Sequence, residues 1–225
     1  MKISKKTFDI LKNFSGIRSS IYVDKGNVIR TVSTAKNIMA EAKVDESFPS
    51  PFAIFDLGKF IATTSLFSEP DYDFNFSDKF VVVNSPNGST VRYCYADSKL
   101  VEKADKTIKM PTLTAEFVLT ANQITEIQRS ASVLQLDTIC IQNNGADIKI
   151  VAFDRKIGIN GSSNQYSMVV KTNEPPSTFA VYLDIELLKM IPDDYSFQIG
   201  GSAVAKLTGA KNGVTYWIAL RPETK

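Results

Sequence analysis

Phe52-Ala53-Ile54-Phe55-Asp56-Leu57 is a short apolar run that meets an aspartate and gives way to a helical pattern. Phe179-Ala180-Val181-Tyr182 lies 127 residues further on, and Asp184 follows it within two residues. A brief run of apolar and aromatic residues reads as a buried strand, and the aspartate after it is a good helix N-cap. Both copies have the same surroundings. A helical segment and a hairpin pattern come before each, and a helix and a hairpin come after.

The helical segments are Ser4–Phe14, Asp56–Leu66, Thr120–Leu134 and Asp184–Ile191, with apolar residues spaced three and four apart and Pro192 ending the last. The hairpins pair Ser20–Val23 with Val28–Val32, Lys79–Asn84 with Thr90–Tyr95, Thr138–Gln142 with Asp147–Phe153, and Ala203–Thr208 with Val214–Leu220. Each turns at a glycine: Gly26, Gly88, Gly145 or Gly213. Gly26 and Gly145 are 119 residues apart, so the offset is close to that of the strand repeat. Self-similarity of this kind predicts a duplicated unit, and two unrelated α+β domains sharing one order are the competing explanation. The expected fold class is α+β. It has two similar domains, 1–96 and 114–225, each with two helices on an antiparallel sheet. The polar, charge-alternating stretch 97–113 is the expected connector, an exposed one.

Composition narrows the function. The 225 residues are 44% apolar and 22% charged, with 26 Lys and Arg against 24 Asp and Glu. Any affinity for nucleic acid must therefore come from local charge. There is no histidine, which removes His-based triads and His-ligated zinc. P-loop, GxGxxG and GxSxG patterns are absent. Gly158-Ile159-Asn160-Gly161 and Gly200-Gly201 read as turns rather than phosphate cradles. Asp71-Tyr72-Asp73 and Asp193-Asp194 lack further ligands for a cation. Cys94 and Cys140 fall in strand patterns and are expected in the core. The reading is of a non-enzyme with no cofactor and no metal. The charged start, Met1-Lys2-Ile3-Ser4-Lys5-Lys6, predicts no signal peptide, and no apolar run is long enough to span a membrane.

The outward faces of the helices carry cations. Lys5 and Lys12 are seven apart, about two turns, and both project opposite the Ile10, Leu11, Phe14 stripe. Lys59, Arg129 and Lys189 are the lone basic residues of the other three helices, each away from the apolar stripe. A solvated helix face explains any one of them. Four helices sharing the geometry suit a positive wall facing a phosphate backbone.

Ser4-Lys5 with Ile10-Leu11-Lys12-Asn13-Phe14 resembles the first helix of the sliding clamps of T-even-type bacteriophages. So do Phe52 to Leu57 with Phe60 and Ser65-Leu66, and Gln128-Arg129 followed by Leu134-Gln135-Leu136-Asp137-Thr138-Ile139. The element order agrees from residue 1 to about 220. The resemblance implies a DNA-clamp fold and a homotrimeric ring of six similar domains around duplex DNA. Such a ring tethers the replicative DNA polymerase as a processivity factor, is opened by a clamp-loader ATPase, and supports late transcription in the cytoplasm of the infected host. By position, Lys5, Lys12, Lys59, Arg129 and Lys189 would face DNA. A groove for partner tails would involve Ile108, Met110 and Pro111 of the connector, with Pro192, Leu220 and Pro222, and with Ile38 and Met39 as rim. Clamps of this class are acidic overall, whereas this chain has a pI of about 8.4. A ring-forming tail or baseplate protein is the alternative. It would fit the strand content but has no need of a cation on every helix.

Overall fold

A computed structural model describes residues 1–67, 72–104, 108–145, 147–171, 178–201 and 203–221. The chain divides into two units, Met1–Thr107 and Ile108–Lys225.

The first unit begins with α1 (Lys5–Ser15). Ser4 caps it by accepting from the Thr7 N–H, and Thr7, Ile10, Leu11 and Phe14 form its buried face. Strands β1 (Ile21–Val23), β2 (Gly26–Val32), β3 (Ile38–Phe48) and β4 (Phe52–Ile54) follow. Helix α2 (Leu57–Ala62) is capped by the Asp56 carboxylate, which accepts from the Lys59 N–H at 2.8 Å. It tightens into a 3₁₀ turn at Thr63–Leu66. There the Thr63, Thr64 and Ser65 hydroxyls donate to carbonyls three residues back, competing with continuation of the α-helix. Strands β5 (Asp73–Phe76), β6 (Phe80–Asn84) and β7 (Thr90–Cys94) complete the unit.

The second unit opens with β8 (Leu113–Leu119) and α3 (Ala121–Leu134). A reciprocal capping box between Thr120 and Gln123 starts α3, and Gln135 in the left-handed region (φ 55°) ends it. Next come β9 (Thr138–Asn144), β10 (Ile148–Phe153), β11 (Gln165–Val170), β12 (Thr178–Asp184), β13 (Tyr195–Gly200), β14 (Val204–Gly209) and β15 (Val214–Ala219). All four expected hairpins form, and their turn glycines all have positive φ.

The expected fourth helix is corrected. Asp184–Ile191 holds only a 3₁₀ turn, Ile185–Leu187, and its first residue makes no side-chain cap. The Asp184 carboxylate is instead taken by Arg221, 37 residues away. Without that cap, and with Pro192 close behind, the segment does not propagate an α-helix.

The duplication is visible in the strand order. In the first unit β1 to β4 lie in the order β4-β1-β2-β3, and in the second β9 to β12 lie as β12-β9-β10-β11. Each is a Greek-key order in which the fourth strand returns beside the first. The remaining strands form β5-β6-β7 and β8-β13-β14-β15. Met1 exchanges two backbone hydrogen bonds with Phe74 of β5.

Each unit has its own core. Phe48, Phe52 and Phe76 cluster in the first, with ring centroids 5.2–5.7 Å apart. In the second, Ile139, Ile141, Ile150 and Leu183 of the sheet meet Ile124 and Ile127 of α3. The connector differs from its expectation as a wholly exposed segment. Val101 is buried at 4% exposure. Glu102 pairs with Arg18 at 2.9 Å and Lys36 at 3.1 Å, and Lys103 pairs with Asp24 at 2.9 Å.

Candidate nucleic-acid interface and partner surfaces

The structure places Lys5 and Lys12 on α1, Lys59 on α2 and Arg129 on α3, all exposed. Lys5 pairs with Asp9 one turn on, at 2.6 Å, with both side chains largely in solvent. Such a pair is worth little and releases its cation easily. Among the described residues, Lys12, Lys59 and Arg129 have no carboxylate within ion-pair distance. Lys12 and Lys59 stand in the last turns of their helices, where the dipole favours a cation. Lys189 is exposed but lies beyond the 3₁₀ turn, not on a helix face as expected. Lys6, exposed beside Lys5 on α1, adds a cation that the stripe argument passed over.

Two groups hold the helices in place. The Glu46 carboxylate on β3 accepts from the Ser4 N–H and the Thr7 hydroxyl, tying the start of α1 to the sheet. Burial opposes its ionisation, but the bonds from Thr7 and Ser4 outweigh it and hold its pKa below the ordinary value. On α3 the Glu126 carboxylate accepts from the Tyr166 hydroxyl of β11. Burial and that acidic neighbour push the phenol up to about 12.

The residues proposed for a partner groove have several fates. Ile38 and Met39 are 2% and 6% exposed and belong to the core of β3, so they form no exposed rim. Leu220 is buried at 7%. Ile108 and Met110 are half-buried, and Pro111 and Pro192 are exposed. Met110 and Pro111 lie against Gly200, where an added Cβ would come within 2.8 Å of Pro111 Cδ. Pro222 lies outside the described residues.

One cavity escaped the sequence reading. It has a volume of about 480 Å³ and sits on the face of the β9–β12 sheet opposite α3. Thr138, Phe153 and Tyr182 of the sheet line it together with Ile157, Gly158, Ile159, Asn160 and Gly161 of the following turn. Gly158 has a φ of 84°, and a Cβ on Gly161 would come within 2.5 Å of the Ile157 carbonyl oxygen, so both glycines are needed for this turn. Arg155 and Arg221 also line the cavity. Its parts are spread over 84 residues of chain, so no local pattern could signal it.

Strand edges are a second feature outside the sequence reading. The β5 edge is met by Met1, and the β12 edge by Arg221 bonding Tyr182. The outer edges of β7 and β11 have no backbone partner among the described residues. Val169 on β11 is 59% exposed. An apolar residue on an unpaired strand edge marks a pairing surface.

The carboxylate pair Asp193-Asp194 is committed to structure. Asp193 accepts from the N–H groups of Asp194, Lys211 and Asn212, and Asp194 accepts from the Ala121 N–H at the start of α3. Asp71 lies outside the described residues, and Asp73 pairs with the Met1 ammonium at 3.7 Å. No three potential ligands cluster among the described residues. Cys140 is buried as expected, whereas Cys94, at the end of the edge strand β7, is exposed, contrary to expectation. None of the helices described is long and apolar enough to cross a membrane.

Comparison with known proteins matches residues 116–222 to the family described as gp45 sliding clamp, C terminal. Over nearly the whole chain, the sliding clamp of Vibrio phage KVP40 is 28% identical, the alignment covering 97% of this chain and 98% of that one. Over nearly its whole length the chain is similar to sliding clamps of T4-like phages. The sliding clamp of Enterobacteria phage T4 is 27% identical over 100% of this chain and 98% of its own.

The DNA-clamp fold extends further. A structure described as "C-terminal region of FEN-1 bound to A. fulgidus PCNA" superposes with a TM-score of 0.71 at 15% identity, covering 97% of this chain and 96% of that one. PCNA from Thermococcus kodakaraensis gives 0.71 at 14% identity, with 98% of each chain covered. The β subunit of DNA polymerase III from Pseudomonas aeruginosa gives 0.66 at 13% identity, covering 98% of this chain but 64% of that longer one. The fold of this chain is thus shared with clamps of very different sequence.

Proposed function

We propose that the chain is a processivity clamp that closes as a homotrimer around duplex DNA and tethers the replicative DNA polymerase. The observation that carries this is the duplicated clamp unit with exposed cations on α1, α2 and α3, on faces turned away from the buried stripes. Whole-length similarity to proteins named sliding clamp supports it. With Lys5, Lys12, Lys59, Arg129 and Lys189 in each of three copies, about fifteen weak phosphate contacts would line the hole. Such contacts are non-directional and sequence-independent, which favours sliding over docking.

The open edges supply the closure. Pairing β7 of one copy with β11 of the next is a head-to-tail contact, and such contacts build rings when the rotation closes. On the family resemblance, a clamp-loader ATPase opens the ring, the surface near Met110 and Pro111 receives partner tails, and the ring supports late transcription in the cytoplasm of the infected host. The function asks for no catalytic group.

The test is native mass by light scattering across a dilution series, followed by product length on a primed template with polymerase and loader. The expected particle has three times the 24.9 kDa chain mass and lengthens the products. A strict monomer at high concentration, or products of unchanged length, would sink the reading.

A further inference from the structure

We propose that Asn160 is a site of spontaneous deamidation, selected among the Asn-Gly pairs of the chain by its untethered side chain. Asn87, Asn144, Asn160 and Asn212 are each followed by glycine. Glycine has no Cβ to shield its backbone nitrogen, so that nitrogen can reach the preceding side chain. Deprotonated, it attacks Cγ of the asparagine. The Cγ–Nδ2 bond breaks, ammonia leaves, and a five-membered succinimide closes. Water then opens the ring. Breaking the bond from nitrogen to Cγ gives aspartate, and breaking the bond to the backbone carbonyl carbon gives isoaspartate. The net change is amide plus water to carboxylate plus ammonium, with nothing oxidised or reduced.

The fold sorts these pairs. The Asn212 amide is held at both ends: Nδ2 donates to the Tyr195 hydroxyl at 2.7 Å, and Oδ1 accepts from the Val214 N–H at 2.8 Å. It also packs on Gly209, where an added Cβ would lie 2.8 Å from Cγ. Asn87 is exposed and held once, its Oδ1 accepting from the Ser89 N–H at 2.9 Å. Asn160 is exposed, and its amide has no hydrogen-bond partner among the described residues. Other groups fix the turn around it: the Lys156 N–H donates to the Asp154 carboxylate, and the Gln165 amide to the Ile159 carbonyl. The glycine N–H groups do not separate the two exposed sites, since Gly88 donates to the Ser85 carbonyl at 3.0 Å and Gly161 to that of Gly158 at 3.1 Å. The side-chain tether does. The Asn144 side chain lies outside those described.

The product matters because of where it forms. Asn160 lines the cavity on the β9–β12 sheet together with Arg155 and Arg221. Deamidation turns a neutral lining group into a carboxylate. The iso form also adds a methylene to the backbone of a turn that is already tight, since a Cβ on Gly161 would come within 2.5 Å of the Ile157 carbonyl oxygen. Ageing of the chain would therefore recharge and reshape this wall of the cavity without any enzyme. Neither a ring nor DNA takes part in this chemistry.

The experiment incubates the full chain in mildly alkaline heavy-oxygen water and maps its peptides by mass spectrometry. New carboxylates take up the heavy oxygen, so conversion during the incubation is read at each asparagine. In the native chain Asn160 is expected to convert fastest. Asn87 should lag about fivefold and Asn212 about twenty-fivefold, the rate cost of opening one and two hydrogen bonds. In urea, where the tethers are gone, the three rates should converge. Asn160→Gln would have to close a six-membered ring, so it should end conversion at this turn, and at an exposed position it should leave the thermal melt unchanged. Asn87 or Asn212 matching Asn160 in the native chain would overturn the proposal, and so would a native order that persists in urea. None of these outcomes bears on the clamp reading, which the processivity assay judges separately.

Discussion

Glu46 lies 39 residues from the Thr7 hydroxyl it accepts, and it decides where α1 sits. Glu46→Gln replaces one acceptor oxygen with a donor facing an N–H or O–H. We expect a loss of about 1 kcal/mol, roughly 3 °C in Tm for a chain of this length, measured by thermal melting at neutral pH. The folded carboxyl titrates below its ordinary 4.5, so its contribution is present above that value and is lost as the pH falls through the folded pKa. The wild-type and Glu46→Gln melting curves should therefore converge on acidification. Asp193 has the same sign. Burial raises its pKa, but the N–H groups of Asn212, Lys211 and Asp194 bring it below the ordinary 3.8. At 7% exposure it is closed in, and its Oδ2 receives both Lys211 and Asn212. Asp193→Asn should cost more than Glu46→Gln, about 1–3 kcal/mol, read from the urea midpoint.

At the scale of the element, α1 separates its two jobs by face. Thr7, Ile10, Leu11 and Phe14 hold it to the unit, and Lys5 and Lys12 point away. Changing Lys5 and Lys12 together to Glu should leave the native mass unaltered. It should also shorten the products of clamp-dependent synthesis several-fold, with the difference from wild type greatest at low salt and shrinking as salt screens the charges. Unchanged product length would remove α1 from the DNA face. Much at this scale was legible in the chain itself. Ser4, Asp56 and Thr120 announced three helices because an N-cap is local chemistry. Gly26, Gly88, Gly145 and Gly213 announced four turns because positive φ is local geometry. The fourth helix was misread because its cap, Asp184, answers to Arg221 across 37 residues. Strand β3 lies outside the four hairpins and four helices expected from the sequence, although Ala40, Ala42 and Val44 alternate with Glu41, Lys43 and Asp45 at period two. Burial of Ile38 and Met39 belongs to that strand.

For the whole molecule, the sequence repeat carried the architecture, since 127 residues separate two strands that occupy equivalent places in two Greek keys. The surfaces were less legible. Whether β7 and β11 are edges depends on which strands fail to find a neighbour, a property that no segment encodes alone. Val169→Asp puts a charge on the exposed edge of β11, where each unit would otherwise stay folded. Light scattering should then give a particle of one chain mass, with unaltered circular dichroism. A trimer that survives the change would place the closure elsewhere.

The ion pairs at Glu102 and Lys103 carry a further consequence. Exposed pairs weaken as salt shortens the Debye length from about 10 Å at 0.1 M to about 3 Å at 1 M. The stretch from Lys99 to Lys103 is held to the first unit by Arg18, Lys36 and Asp24, with Val101 as the only buried side chain among those five residues. Ionic strength would then act as a latch on this stretch of the first unit. Trypsin should spare Lys99 and Lys103 in dilute buffer and cut there as salt rises, well before the first unit unfolds.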